Sequence, residues 1–290
     1  MSLNNKVILT CALTGVLTDP KVHQVPVTPQ EMADAALEAY NAGASVVHCH
    51  FRSQEPGKGA LPTWKVDVVS EICTAIRARV PNIILNMSTG VFGNDISGPA
   101  KCIEAVKPEI AALNSGSLNY LKIKKDGSWA WPPMLFDNSV EKISAFLKVM
   151  NENGVRPECE CFDTGILRSV GLMKANGMLN EPLNISLVMG VSSGMPAKAS
   201  WLPLLIEELP PGENVQWQVI GIGQKEVWEL HRKACELGGN LRSGVEDTFY
   251  LPNGDKTTSN GKLIEALANI VKEQGRSVAT AAEARKLYGL

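Results

Sequence analysis

Ala44-Ser45-Val46-Val47-His48-Cys49-His50-Phe51 is the run from which the chain is best understood. It is apolar and β-branched enough to form a buried strand. Side chains two apart on a strand share a face, so His48 and His50 point the same way. Adjacent imidazoles pack poorly in an apolar core, whereas imidazole is a preferred ligand for zinc. The pair is therefore read as a candidate metal site, with two hydrogen-bonded structural histidines as the alternative.

Working outward, strands alternate with helices. Strands are expected at 6–12, 44–51, 82–87, 109–113, 157–162, 184–189, 215–220 and 240–245. Thr28-Pro29-Gln30-Glu31 starts the first helix as a capping box with proline at its first position, and Ala42-Gly43 stops it. Further helices are expected at 63–79, 103–106, 140–153, 165–176, 198–208, 224–237 and 261–273. Residues 116–138 break the rhythm. Lys125-Asp126-Gly127 is a hairpin-turn signal, so this segment reads as a hairpin after strand four, over the site or at a subunit contact.

Eight βα units without a linker predict an α/β fold, one (β/α)8 TIM barrel over residues 1–290. The strands read as continuous apolar runs, as strands covered on both faces do. A doubly wound open sheet fits less well, because the first βα turn lacks its glycine-rich fingerprint.

The 290 residues are 44% hydrophobic with a net charge of -2, ample for one large core and without a basic patch for nucleic acid. No apolar run is long enough for a membrane span. Seven cysteines without framework spacing, and a start lacking a signal peptide's apolar core, predict a reduced cytoplasmic protein. Cys159-x-Cys161 has no second pair to match it and is expected to be buried filler.

Chemistry in such barrels sits at the C-terminal strand ends. Strand two offers His48, His50 and Arg52 there. Strand eight offers Arg242, Glu246 and Asp247, and period two puts Arg242 and Glu246 on one face. Closure sets strand eight beside strand one and near strand two, so Glu246 can complete a His-His-Glu set. Three ligands and an open position is the catalytic form of a zinc site. Asp247 and Arg242 are then free for acid–base work, a structural Arg242–Glu246 salt bridge being the alternative. Glu158 and Glu160 share the inward face of strand five, to orient a substrate or pair with Arg52 or Arg242. Asn86, Ser88 and Gly90 end strand three, and Asn114 and Ser115 end strand four, where they suit carboxylate or carbonyl oxygens. His23 lies in a loop and His231 is expected on the surface of helix seven, so no later strand end adds a histidine.

Together these stretches resemble the β-keto acid cleavage enzymes, a zinc-dependent barrel family. The matching segments include Ala12-Leu13-Thr14-Gly15, Val47-His48-x-His50-x-Arg52, Asn86-x-Ser88-Thr89-Gly90 and Pro157-Glu158-x-Glu160-x-Phe162-Asp163. Gly239-Asn240-x-Arg242-x-Gly244-x-Glu246-Asp247 closes a series running from residue 6 to about 275. The resemblance implies reaction of a β-keto acid with acetyl-CoA, giving acetoacetate and a new acyl-CoA. It places Zn2+ on His48, His50 and Glu246, an Arg242–Asp247 pair as acid–base machinery, Ser88, Ser115 and Glu160 as candidates to hold substrate, and a homo-oligomer, dimer or tetramer. A metal-dependent aldolase or hydrolase that does not use CoA is the alternative.

Two departures stand out. The family member that acts on an amino-substituted keto acid carries an acid just after the glycine matching Gly15, where this chain has Val16 and Leu17. The substrate tail is therefore expected not to be an ammonium group. Ser192-Ser193 also replaces a more glycine-rich turn after strand six.

Overall fold

A computed structural model describes residues 3–290. Eight parallel strands close a barrel: β1 (Leu9–Ala12), β2 (Val46–Cys49), β3 (Ile84–Met87), β4 (Ile110–Asn114), β5 (Arg156–Cys161), β6 (Leu183–Met189), β7 (Val215–Gly221) and β8 (Asn240–Ser243). They follow chain order around the barrel, and β8 pairs with β1 to close it. The helices are α1 (Pro29–Asn41), α2 (Val66–Arg79), α3 (Ser97–Val106), α4 (Val140–Glu152), α5 (Thr164–Ala175), α6 (Leu202–Glu207), α7 (Val227–Glu236), α8 (Asn260–Glu273) and α9 (Ala281–Tyr288). The TIM-barrel expectation is met. No helix among the described residues is long and apolar enough to cross a membrane.

Local chemistry sets the element ends. The Thr28 hydroxyl accepts from the Glu31 amide and Glu31 accepts from the Thr28 amide, a capping box worth about 1 kcal/mol. Asp163, just past the expected strand five, caps α5 by accepting from the Ile166 amide at 2.7 Å. The first strand is interrupted at Ile8, whose amide donates to the Asn240 side chain. Thr63, expected in helix two, accepts from the Lys65 amide, and α2 starts only at Val66. Residues 103–106 belong to a helix as expected, and that helix begins at Ser97, with Pro99 in the first turn, where its missing N–H costs nothing. Trp201 ends a 3-10 turn, so helix six is α6 alone.

The expected hairpin is present. Leu118–Tyr120 pairs antiparallel with Met134–Phe136, and Asp126 accepts from the Ser128 amide at its tip. Its base is held by Asn138 and Ser117, and the Leu121 amide donates to the Ser193 hydroxyl at 3.2 Å. One of the two unexpected serines after β6 thus anchors the hairpin.

The barrel interior is layered. At its N-terminal end Ile8, Val46, Ile84 and Ile110 pack against Ala279, Ala284 and Tyr288, so α9 plugs the floor. α9 is absent from the sequence reading; its Thr280/Glu283 capping box was the available signal. Above this plug lies a buried polar layer. Glu158 accepts from Asn86, Ser186 and Gln218, and Gln218 accepts from Thr10 at 3.0 Å. All seven cysteines are free and buried, Cys159 and Cys161 included.

Candidate active site

Ala12 of β1 lies level with His48 of β2, which lies level with Asn86 of β3. Val46 and His48 both point inward, one over the floor and one at the mouth. β2 ends at Cys49, so His50 stands just beyond the ladder, not within it. The two imidazoles still meet, edge to face, with centroids 5.3 Å apart.

The strand-eight reading is corrected in one respect. β8 ends at Ser243, so period two does not place Glu246. The chain turns at Gly244, where a Cβ would collide with the carbonyl oxygen of Ala12. This close approach lets the Glu246 amide reach that oxygen at 3.4 Å, and the Asp247 amide donates back to Gly244. The Glu246 side chain is thereby laid over Gly15, which adopts φ 61° and has no room for a Cβ beneath the glutamate.

Glu246 Oε1 lies 3.4 Å from His50 Nε2 and 3.8 Å from His48 Nε2. One ligand atom from each of His48, His50 and Glu246 falls within 4.8 Å of the others. Among the described residues, Glu246 Oε2 and His48 Nδ1 are buried without a hydrogen-bond partner. Burial, then the Arg242 charge, keeps the His48 imidazole well below its ordinary pKa, in the neutral form that binds metals. Burial raises the Glu246 pKa, but His50, Arg242 and His48 outweigh it and keep the carboxyl ionised. Donor type, spacing and protonation all suit a divalent metal.

Arg242 is the other centre. Its Nε and Nη2 bind both oxygens of Asp247 at 3.1 and 3.0 Å, Nη2 also reaches Glu246 at 2.8 Å, and Nη1 lies 3.6 Å from Glu160. One guanidinium thus faces three carboxylates. Two negative charges are left over when all three are ionised, and a divalent ion would balance them. Burial, aided by Glu158, pushes the Glu160 carboxyl up to about 8, and burial pushes Asp247 up to about 6. Unbalanced buried charge is costly, and these shifts express that cost.

The mouth holds a cavity of about 230 Å³ lined by His50, Ser88, Gly90, Asn114, Glu160, Arg242 and Glu246 on its polar side. Val16, Leu17, Tyr120 and Phe136 are among its apolar walls, so the hairpin does lie over the site. The other expected site residues lie elsewhere. Asn86 and Glu158 belong to the polar layer beneath. The Ser115 hydroxyl donates to Leu113 on its own strand. Asp247 is fully enclosed behind Arg242 and Glu246. Arg52 pairs with neither Glu158 nor Glu160; it donates to Thr14 and to the carbonyls of Thr18 and Gly59. Sequence reasoning missed Tyr120, Phe136 and Phe92, which come from segments with no strand-end signature.

His231 is the plainest correction. It is 0% exposed, edge-on to Trp228 with centroids 5.6 Å apart, and both ring nitrogens lack partners. Val227, Leu230, His231 and Ala234 recur at helical spacing and turn inward together.

A model of the beta-keto acid cleavage enzyme family matches residues 6–290. The chain is 32% identical to a 3-keto-5-aminohexanoate cleavage enzyme of Fusobacterium nucleatum, covering 98% of each protein. It is 31% identical to the 3-dehydrocarnitine:acetyl-CoA trimethylamine transferase of Rhizobium meliloti, over 99% of this chain and 97% of that one. A 3-oxoadipate:acetyl-CoA acetyltransferase of Cupriavidus necator is 30% identical, over 98% and 94%. In three dimensions the apo structure of ObcA superposes with a TM-score of 0.73 at 20% identity, covering 92% of this chain and 65% of that one, a likeness of fold.

Proposed function

This chain belongs to the beta-keto acid cleavage enzyme family, and from that premise we propose that it condenses a β-keto acid with acetyl-CoA in a zinc-dependent reaction. The products are acetoacetate and the CoA ester of the remaining acyl group. The observation that carries the reading is the Arg242–Asp247 clamp set directly against the His48, His50 and Glu246 donors, with Arg242, His50 and Glu246 lining one cavity.

His48, His50 and Glu246 would hold a divalent ion such as zinc, which would supply Lewis-acid polarisation of the keto carbonyl and so make the carbon beside it more acidic. Asp247 removes a proton from that carbon, C2, which lies between the keto and carboxylate carbons. Arg242 binds both Asp247 oxygens and holds the carboxylate behind the cavity until substrate draws it forward. The C2 electron pair attacks the acetyl thioester, a carbon–carbon bond forms, and CoA leaves as its thiolate. The thiolate attacks the original ketone, and the bond from that carbon to C2 breaks. C2 recovers its proton from Asp247, which completes acetoacetate and leaves the acyl group on CoA.

Ser88, Gly90, Asn114 and Glu160 line the cavity and are assigned to holding the carboxylate and acyl oxygens. Asn86 and Glu158 sit below and brace the barrel under the site.

The test is acetoacetate formation by zinc-loaded protein with acetyl-CoA and a panel of β-keto acids. Product that needs both acetyl-CoA and metal is expected. Cleavage without acetyl-CoA would instead assign the site to an aldolase or hydrolase.

A further inference from the structure

We infer that the acyl tail of the substrate is uncharged hydrocarbon, taken up by an aromatic wall that the hairpin and the β1 and β3 loops build over the mouth. This rests on the reading above and names the substrate class of that site. The ionisable groups of the cavity other than Tyr120 form one connected cluster. His50 contacts Glu246 at 3.4 Å, Glu246 contacts Arg242 at 2.8 Å, and Arg242 faces Glu160 at 3.6 Å. Each of them faces another member of the cluster, at the reacting end. The rest of the lining carries no ionisable acid or base except the Tyr120 phenol; Leu17, Phe92, Tyr120, Phe136, Phe162 and Ile222 dominate it.

Phe136 is the hub of this wall. Phe92, Phe162 and Tyr120 pack edge-on to it, with centroids 5.7, 6.2 and 6.4 Å away. An aromatic box of this kind can also hold a quaternary ammonium through the ring faces. Here a resident cation competes. Lys142 Nζ lies 6.0 Å from the Phe136 centroid, so a second cation on that ring would meet a like charge. Lys142 cannot serve an anionic tail either. It is buried, and its three protons go to the carbonyls of Val91, Gly93 and Asp137 at 2.9, 2.8 and 2.7 Å. A charged tail of either sign would lose its water at this wall and gain no partner. A hydrocarbon tail gains from the same burial.

The experiment compares 3-oxo acids of equal length whose tails end in methyl, ammonium, trimethylammonium or carboxylate. Turnover is measured on the zinc-loaded protein, and binding of the unreactive 3-hydroxy counterparts is measured by calorimetry. Preference for the methyl-ended tail by roughly tenfold or more is expected in binding, and in kcat/KM where turnover occurs. Leu17→Glu, placed at an exposed position of the wall, should lower that preference and favour the ammonium tail. Binding selectivity without any acetoacetate would support the tail assignment and overturn the reaction assigned above. Equal or tighter binding of any charged tail by the unaltered protein would overturn the tail assignment, whatever the turnover. Phe136→Leu keeps a bulky apolar side chain, and retention of the preference in that variant is also expected.

Discussion

Arg242 grips Asp247 through two N–H···O bonds of 3.1 and 3.0 Å, from a guanidinium that simultaneously holds Glu246 at 2.8 Å. The bidentate fork fixes the plane of the Asp247 carboxylate, which lysine's single ammonium would not do. The same arginine therefore ties the assigned base to a metal donor. It also encloses Asp247 completely, so the proposed proton transfer requires that carboxylate to come forward when substrate arrives.

Asp247→Asn tests this step. The amide keeps the shape and one of the two acceptor positions but is a very weak base. Exchange of the C2 protons with deuterated water, followed by NMR without acetyl-CoA, should fall by about 10²–10⁴-fold. Metal content, read by elemental analysis, should stay at the level of the unaltered protein. Undiminished exchange would remove Asp247 from the proton transfer and return its pairing with Arg242 to a structural role.

Metal retention has a direct prediction. The unaltered protein should carry one equivalent of a divalent ion, and His50→Ala and Glu246→Ala should each lose it on dialysis. Chelation should lower the melting temperature of the unaltered protein, since a ligand bound only by the folded state stabilises it by mass action. It should leave the two variants unchanged. A melting temperature indifferent to chelator in all three would argue that the two imidazoles and Glu246 form only a polar cluster.

The barrel was legible because each strand announced itself as a short apolar run between turn residues, and because eight such βα units close naturally with β8 beside β1. The His-x-His pair was legible from its spacing alone. Glu246 was found for an incomplete reason. Its placement depends on Gly244 approaching the Ala12 carbonyl, a contact between residues far apart in sequence that strand periodicity does not encode. Phe92 and Phe136 escaped for a similar cause: loops over a barrel mouth have no fixed period, and their inward faces are chosen by what lies beneath. His231 misled because histidine is amphipathic. The apolar residues at its helical spacing, Val227, Leu230 and Ala234, outweighed its polarity.

His231 yields a prediction on pH. Burial depresses its pKa from 6.5 to about 3 in the folded protein. Below pH 6.5 the unfolded chain takes up a proton that the folded chain refuses. Stability is therefore whole above 6.5 and declines as pH falls toward 3, by roughly 1.4 kcal/mol per unit from this group. Between pH 7 and 5 the contribution is roughly 2 kcal/mol. His231→Leu fills similar space, leaves no orphaned ring nitrogen and abolishes the term. Urea titrations at both pH values should show a loss on acidification that is smaller in the variant by about this amount. Parallel losses in the two proteins would mean that the imidazole reaches water or a partner in the native state.

Gly244 and Gly238 separate backbone strain from site geometry. Both adopt positive φ, 158° and 93°. A methyl at Gly238 meets nothing within 4 Å, whereas at Gly244 it collides with the backbone of Ala12. Gly238→Ala should cost only the strain of the wrong backbone region, roughly 1–2 kcal/mol. Gly244→Ala should cost more and must also push the following residues away from β1. Glu246 hangs on those residues, its amide bonded to Ala12 and its side chain resting on Gly15. The variant should therefore bind the metal at least about tenfold more weakly, as loss of a supporting contact does in such sites. Gly238→Ala should bind it normally. Denaturant titration and metal competition against a chromogenic chelator measure the two effects separately. If Gly244→Ala loses stability but keeps its metal affinity, Glu246 is positioned by Arg242 instead of by the turn.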